Sequence, residues 1–264
     1  MINKIAFFIF ILTFIIFPQT ELRKDFSKFF DEQNVRGSIV VYDLDSNKIY
    51  YHAKERCYKR FSPASTFKIM TSLIALETKV TRDENFSLRW DAVKRDVDVW
   101  NKDQSLTDAF KNSTVWFYQE LARRIGNDRM KLYIDKVGYG NKDISGGIDQ
   151  FWLTGGLRIS QMEQVQFLRR LYNNQLPFSQ RTMDIVKRIM ISERTKDYLL
   201  RSKTGLSIEN NMQIGWWVGW YEINEKPYFF AINIETKDLA NPNFNSARLE
   251  ITKAILKELQ IIPE

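Results

Sequence analysis

Cysteine and histidine are nearly absent from this chain of 264 residues, and their scarcity removes whole classes of chemistry. Cys57 is the only cysteine, so no intramolecular disulfide can form and stability must come from packing. His52 is the only histidine and is far in sequence from any serine motif, which leaves little room for a Ser-His-Asp hydrolase. No His-x-x-x-His and no cysteine pair is present to ligate zinc. The 11 glycines include neither a phosphate-cradling Gly-x-x-x-x-Gly-Lys nor a dinucleotide fingerprint. Repeats and low-complexity segments are also lacking. A hydrolase built from this inventory needs a carboxylate or a lysine as its base.

What is present is globular: 44% hydrophobic residues, 14% aromatic, 6 prolines and a net charge of +7. Lysines and arginines are scattered among acids without the clustered patch of a nucleic-acid binder, so nucleic acid is not an expected partner. The first twenty residues have a basic start at Lys4, an uncharged apolar run from Ile5 to Phe17 and a polar end. That layout predicts an export signal over 1–20, with no obvious cleavage site, and an exported, periplasmic protein of bacterial type free of the membrane after export. The run is shorter than the roughly 20 residues of a spanning helix. Removing the segment takes away one lysine and no acid, so +7 becomes +6.

Residues 38–52 predict a β-hairpin about Asp45-Ser46-Asn47. Helical periodicity follows over 64–77, 105–111, 114–125, 128–136, 160–172 and 179–191. Strands return at YLLRSKTG, QIGWWVGWYEI and PYFFAINIE, and a last helix is expected from about Ser246, with Ile251, Ile255, Leu259 and Ile262 on one stripe and Glu250 in its first turn. The pattern predicts an α+β protein. Its central antiparallel sheet is flanked by N- and C-terminal helices, with a sheet subdomain of 21–63 plus 196–264, an inserted all-helical subdomain of 64–195, and a cleft between them.

Several short motifs carry candidate chemistry. Ser65-x-x-Lys68 follows Pro63, and helical i, i+3 spacing can bring the lysine amine to the serine hydroxyl. Alone the motif is weak, since it arises by chance about once in a chain this long. Lys203-Thr204-Gly205 on a predicted strand offers a cation and a hydroxyl for a substrate carboxylate, with a glycine that leaves space beside the strand. Ser113-Thr114-Val115 precedes a helix, so Ser113 suits either a helix cap or a proton relay. Tyr139-Gly140-Asn141 reads as a turn, and Trp152-Leu153-Thr154-Gly155 as core or as an indole donor in a dry pocket.

In order, Ser65-x-x-Lys68, Ser113-x-Val115, Tyr139-Gly140-Asn141, Trp152-x-x-Gly155 and Lys203-Thr204-Gly205 resemble the motif series of the class D, oxacillinase-type serine β-lactamases. "RFSPASTFKI", "FWLTGGLRIS" and "GWWVGWYE" are similar to that family's wording, and the resemblance runs from about residue 22 to the C-terminus. It implies the β-lactamase/transpeptidase-like fold and hydrolysis of penicillin-type β-lactams, with Ser65 acylated and Lys68 carboxylated by CO2 to serve as general base in acylation and deacylation. Apolar burial favours the neutral amine that can attack CO2. Phe67, Val115, Leu153 and Trp152 are expected to line that pocket, and the Trp152 N–H to bond the carbamate. By the same resemblance Ser113 protonates the leaving nitrogen. Lys203, Thr204 and Arg248 hold the substrate carboxylate, and the backbone N–H groups of Ser65 and Leu206 form the oxyanion hole. Arg248 equally suits a surface helix arginine. No bound cofactor is implied beyond CO2 or bicarbonate, and the protein is expected to be a monomer or homodimer. Leu206, Thr154 and Gly155-Gly156 look variable and bear on substrate spectrum. A penicillin-binding transpeptidase or carboxypeptidase, or a β-lactam sensor domain, shares much of this logic but acylates without efficient turnover.

Overall fold

A computed structural model describes residues 19–22 and 26–263. The expected leader lies outside the described residues except for Gln19 and Thr20, which open strand β1 (Gln19–Leu22). Among the described residues no helix is long and apolar enough to cross a membrane.

The hairpin forms as β2 (Arg36–Asp43) and β3 (Lys48–His52), closed by the Asp43 carboxylate, which accepts from the Asp45 and Ser46 amides at 3.0 and 3.2 Å. Three long strands follow late in the chain: β7 (Leu199–Glu209), β8 (Met212–Ile223) and β9 (Lys226–Thr236). With β6 (Ile191–Arg194) and β1 they make one sheet in the order β1-β3-β2-β9-β8-β7-β6. Every pairing is antiparallel except β1 on β3, which is parallel. The central sheet is therefore antiparallel with one parallel strand added at its edge. Residues 191–194, within the stretch predicted as helical, are sheet instead. The helix there ends at Ile189 because the next residues pair with β7.

Strand alternation sends the two faces of the sheet to different cores. Val40, Trp216, Val218, Trp220 and Ala231 pack under the helical subdomain. Ile39, Val41, Trp217, Tyr221 and Ile232 pack under α1 (Ser27–Glu32) and α9 (Phe244–Glu258). Ile251 and Ile255 are buried there as the stripe predicts, whereas Glu250 sits in the second turn because α9 starts at Phe244.

Between β3 and β6 run α2 (Lys54–Tyr58), α3 (Lys68–Glu77), α4 (Leu106–Lys111), α5 (Val115–Ile125), α6 (Asn127–Val137), α7 (Gln161–Tyr172) and α8 (Gln180–Ile189). A two-stranded ribbon, β4 (Ser87–Leu88) with β5 (Gln104–Ser105), interrupts them. Their starts follow local chemistry: Ser160 and Glu163 form a capping box on α7, and the Ser105 and Ser179 hydroxyls cap α4 and α8. Helix α3 is buried on nearly every side from Lys68 to Leu76, so whatever side chain begins it is carried into the interior.

Candidate active site

Pro63 supplies a helical φ of −69°, and a single 3₁₀ turn over Ala64–Phe67 leads into α3. The Thr66 hydroxyl donates to Pro63 O at 2.7 Å and accepts from Gln164 Nε2 at 2.8 Å, pinning the turn to α7. Ala64 has φ +47°, a left-handed conformation that costs on the order of 1–3 kcal/mol in a residue with a Cβ. Ser65, the next residue, is half-buried. Lys68 Nζ lies 2.7 Å from Ser65 Oγ and donates to it.

Lys68 is 1% exposed, and its surroundings are aromatic. Phe67 stacks on Trp152 at 5.7 Å and meets Phe151 and Tyr139 edge-on at 5.1 and 5.4 Å. The Lys68 ammonium position is over the Tyr118 ring, 5.3 Å from its centroid, and Tyr118 is anchored by a 3.0 Å bond between its hydroxyl and that of Ser72. Among the described residues no carboxylate is within ion-pair distance of Lys68. Burial, reinforced by the charge of Lys203, holds its pKa well below the usual lysine range.

Lys203 projects from β7 into the same region and is 4% exposed. Its Nζ donates to Ser113 Oγ at 2.9 Å and to Thr204 O at 3.0 Å. Desolvation, then the charge of Arg248, lower its pKa to about 7. Ser113 occupies the link between α4 and α5 with φ +56°. The N-cap of α5 is Thr114, so the Ser113 hydroxyl does not cap the helix and faces Lys203 instead. Arg248 is no surface arginine: it is 7% exposed, donates to Gly205 O at 2.9 Å, and is lowered to about 10 by burial.

Gly205 allows β7 to pass against the Ser65 turn. A Cβ on it would stand 3.0 Å from Pro63 O and 3.3 Å from Thr66 N. The face to which a side chain at 205 would project is thus filled by the protein's own turn. On the other side, the Ser62 hydroxyl donates to Trp152 O and Leu153 O at 3.0 and 3.2 Å, while Trp216 Nε1 donates to Ser62 O at 2.8 Å. Trp152 is 1% exposed and its Nε1 has no protein partner among the described residues. Those residues also contain no His/Cys/Asp/Glu group able to hold a metal.

Residues 37–259 match the family of penicillin-binding protein transpeptidase domains. The chain is 43% identical over 240 residues to the β-lactamase OXA-48 of Klebsiella pneumoniae, covering 91% of this chain and 89% of that protein. The chain belongs to the class D serine β-lactamases. Among solved structures, the class D β-lactamase YbXI from Nostoc superposes with a TM-score of 0.87 at 46% identity, covering 91% of this chain and all of that one. The C-terminal domain of the BlaR penicillin receptor of Bacillus licheniformis gives 0.88 at 33% identity, covering 95% and 100%. This class D β-lactamase is a serine enzyme that hydrolyses β-lactams.

The β-lactamase fold adds to the local pair of Ser65 and Lys68 two pairs from far apart in the chain, Ser113 with Lys203 and Arg248 with Gly205. Thr204, Val115 and Leu153 are half-buried at its edges, and Leu206 is 41% exposed beyond the glycine. Of the paired glycines that looked variable, the first is held by packing. A Cβ on Gly155 would come within 2.5 Å of Phe151 Cα, backbone that cannot give way, whereas one on Gly156 would meet only the exposed side chain of Asp143 and the Ser145 hydroxyl, which can move. The Tyr139-Gly140-Asn141 turn is more than a link, since the Asn141 amide bonds Gly156 O at 2.8 Å and accepts from Arg158 N at 2.9 Å, clasping the Trp152 loop. Sequence reasoning missed Tyr118 and Ser72. The available signal was the i, i+3 spacing of Tyr118 from Val115 on α5 and the i, i+4 spacing of Ser72 from Lys68 on α3.

Proposed function

We propose that this β-lactamase acts through a Ser65 acyl-enzyme with Lys68, carboxylated by CO2, as the base for both half-reactions. The observation that carries the reading is a fully buried lysine amine 2.7 Å from the nucleophile, with a depressed pKa and no acid partner among the described residues. A neutral amine is nucleophilic: its lone pair bonds to the carbon of CO2 and one N–H proton is released, leaving a carbamate anion. The pocket fits that anion because the buried Trp152 N–H is a donor without a protein acceptor. Aromatic walls exclude water and preserve the conditions under which the amine stays neutral.

The carbamate takes the Ser65 proton as Oγ bonds to the lactam carbonyl. Collapse of the tetrahedral adduct breaks the C–N bond, and Ser113 Oγ gives its proton to the departing nitrogen. Lys203, poised near neutrality and bonded to Ser113, resupplies that proton. Its charge, with Thr204 and Arg248, holds the substrate carboxylate. The close approach of Gly205 to the Ser65 turn supports the Ser65 and Leu206 N–H groups as oxyanion donors. The proton taken from Ser65 is passed on to replace the one Lys203 gave up, and the restored carbamate then deprotonates a water that attacks the ester, returning that proton to Ser65 as it leaves. The apolar N-terminal run supports action after export, in the periplasm.

Turnover of a penicillin by purified protein tests the mechanism, followed with and without bicarbonate while intact mass reports the acyl-enzyme. Many turnovers that fall on bicarbonate depletion and return on its restoration are expected. Stoichiometric acylation without turnover, or turnover indifferent to bicarbonate, overturns the carboxylated base.

A further inference from the structure

β6 pairs with β7 as far as Arg201, opposite Ile191, the Ser202 amide donates to Met190 O at 2.9 Å, and from Lys203 onward that edge of β7 has no neighbouring strand. A cavity of about 510 Å³ opens at the gap, and Lys203 and Thr204 form part of its wall. Phe110 of α4, Trp217 of β8 and Leu249 of α9 make it apolar within. Its charged groups are Lys111, Lys253, Lys203 and a single acid, Glu193, whose carboxylate is 3.9 Å from Lys253. None of the acyl-transfer steps uses this space.

We propose that the notch is a specificity-determining subsite for the substituent carried beside the substrate's carboxylate, favouring a flat apolar group that ends in an anion. The inference rests on Lys203 and Thr204 holding that carboxylate. Along β7, Gly205 is against the Ser65 turn, Thr204 and Lys203 come next on the unpaired edge, and that edge closes at Ser202, where the notch lies. A β-lactam with its carbonyl at Ser65 and its carboxylate at Lys203 therefore directs the next ring carbon away from Ser65 and toward the notch. In cephalosporins that carbon bears the variable side group. Penicillins have only two methyl groups there and fall short of it. The apolar walls gain from burying an aromatic ring, and the lysines exceed the one acid that opposes them.

Two cephalosporins with the same acyl side chain test this, one bearing a methyl group at that carbon and the other a carboxystyryl group. Each is measured as a competitor of penicillin hydrolysis, so the readout does not depend on its own turnover. The carboxystyryl compound is expected to have a KI at least ~10-fold lower. Leu249→Trp, which fills the notch, raises that KI about tenfold and leaves the methyl compound unchanged. Lys253→Met raises it about threefold, and Glu193→Gln, removing the opposing acid, lowers it about twofold. Unchanged KM for the penicillin shows that each variant is folded and keeps its carboxylate site. Equal KI values for the two compounds in the unsubstituted protein, or equal shifts for both in the variants, overturn the subsite. Failure of the unsubstituted protein to turn over the penicillin overturns the active-site reading first, and the subsite with it.

Discussion

Arg56 and Lys68 are both basic side chains set into this protein twelve residues apart, Arg56 half-buried and Lys68 fully buried, and the fold treats them in opposite ways. Arg56 on α2 donates to Ser38 Oγ and Asn233 O at 2.9 and 3.0 Å, and to Asn233 Oδ1 and Glu235 Oε2 at 2.7 and 3.0 Å. Its desolvation is partly offset by the Glu235 carboxylate and by acceptors on two strands, and it also lies over the Phe61 ring at 4.4 Å. Lys68 meets one hydroxyl and a set of aromatic walls. A half-buried charge with its partners complete ties β2, β9 and α2 together. A buried amine without them has its pKa pushed down, the condition that the proposed base requires.

Exchanging each cation for methionine separates the two roles. Lys68→Met removes the base, so penicillin turnover falls by about 10³-fold, while thermal stability does not decrease because a desolvated amine is replaced by an apolar chain. Arg56→Met leaves Glu235 and Asn233 with lost donors and destabilises the fold by about 3 kcal/mol, with kcat close to that of the unsubstituted protein. Melting temperatures beside initial rates check the pair. Loss of stability in the first, or of kcat in the second, breaks the contrast.

Trp152→Phe sharpens it by keeping the stack on Phe67 while deleting the orphan N–H. The bicarbonate concentration for half-maximal activity is expected to rise about tenfold, as for a lost hydrogen bond to an anion, with little change once bicarbonate saturates. A pH profile probes Lys203. Its pKa is lowered to about 7, so the ammonium that receives the substrate carboxylate is lost as pH rises through that value. The expected alkaline limb of kcat/KM starts near pH 7 and moves upward with added bicarbonate, since a carbamate on Lys68 favours the neighbouring ammonium. The same lowered pKa makes the folded state release a proton that the unfolded chain keeps, so this group's contribution to stability rises with pH from about 7 toward the ordinary lysine value.

Much of this was legible in the residues. The hairpin, the long helices of the insert, the three late strands and α9 follow from periodicity, because a half-buried surface imposes its repeat on the chain. The pairing of Ser65 with Lys68 follows from spacing within one turn. Less legible were β1 and β6, four residues each, whose pairing depends on a partner elsewhere. Arg248 and Tyr118 carry no local motif. Gly205 was readable as a special position, yet the atoms that require it belong to Pro63 and Thr66.

By itself the sequence determined which chemistry was available: one histidine and one cysteine left a serine and two lysines to do the work. It also determined the order and type of the main elements, since these depend on near neighbours along the chain. Only the tertiary structure decided that Lys68 is dry and without an acid, that Lys203 reaches Ser113 across 90 residues, and that α9 brings Arg248 to β7. Those outcomes turn on desolvation and on contacts between distant segments, quantities that exist only once the chain has closed around them.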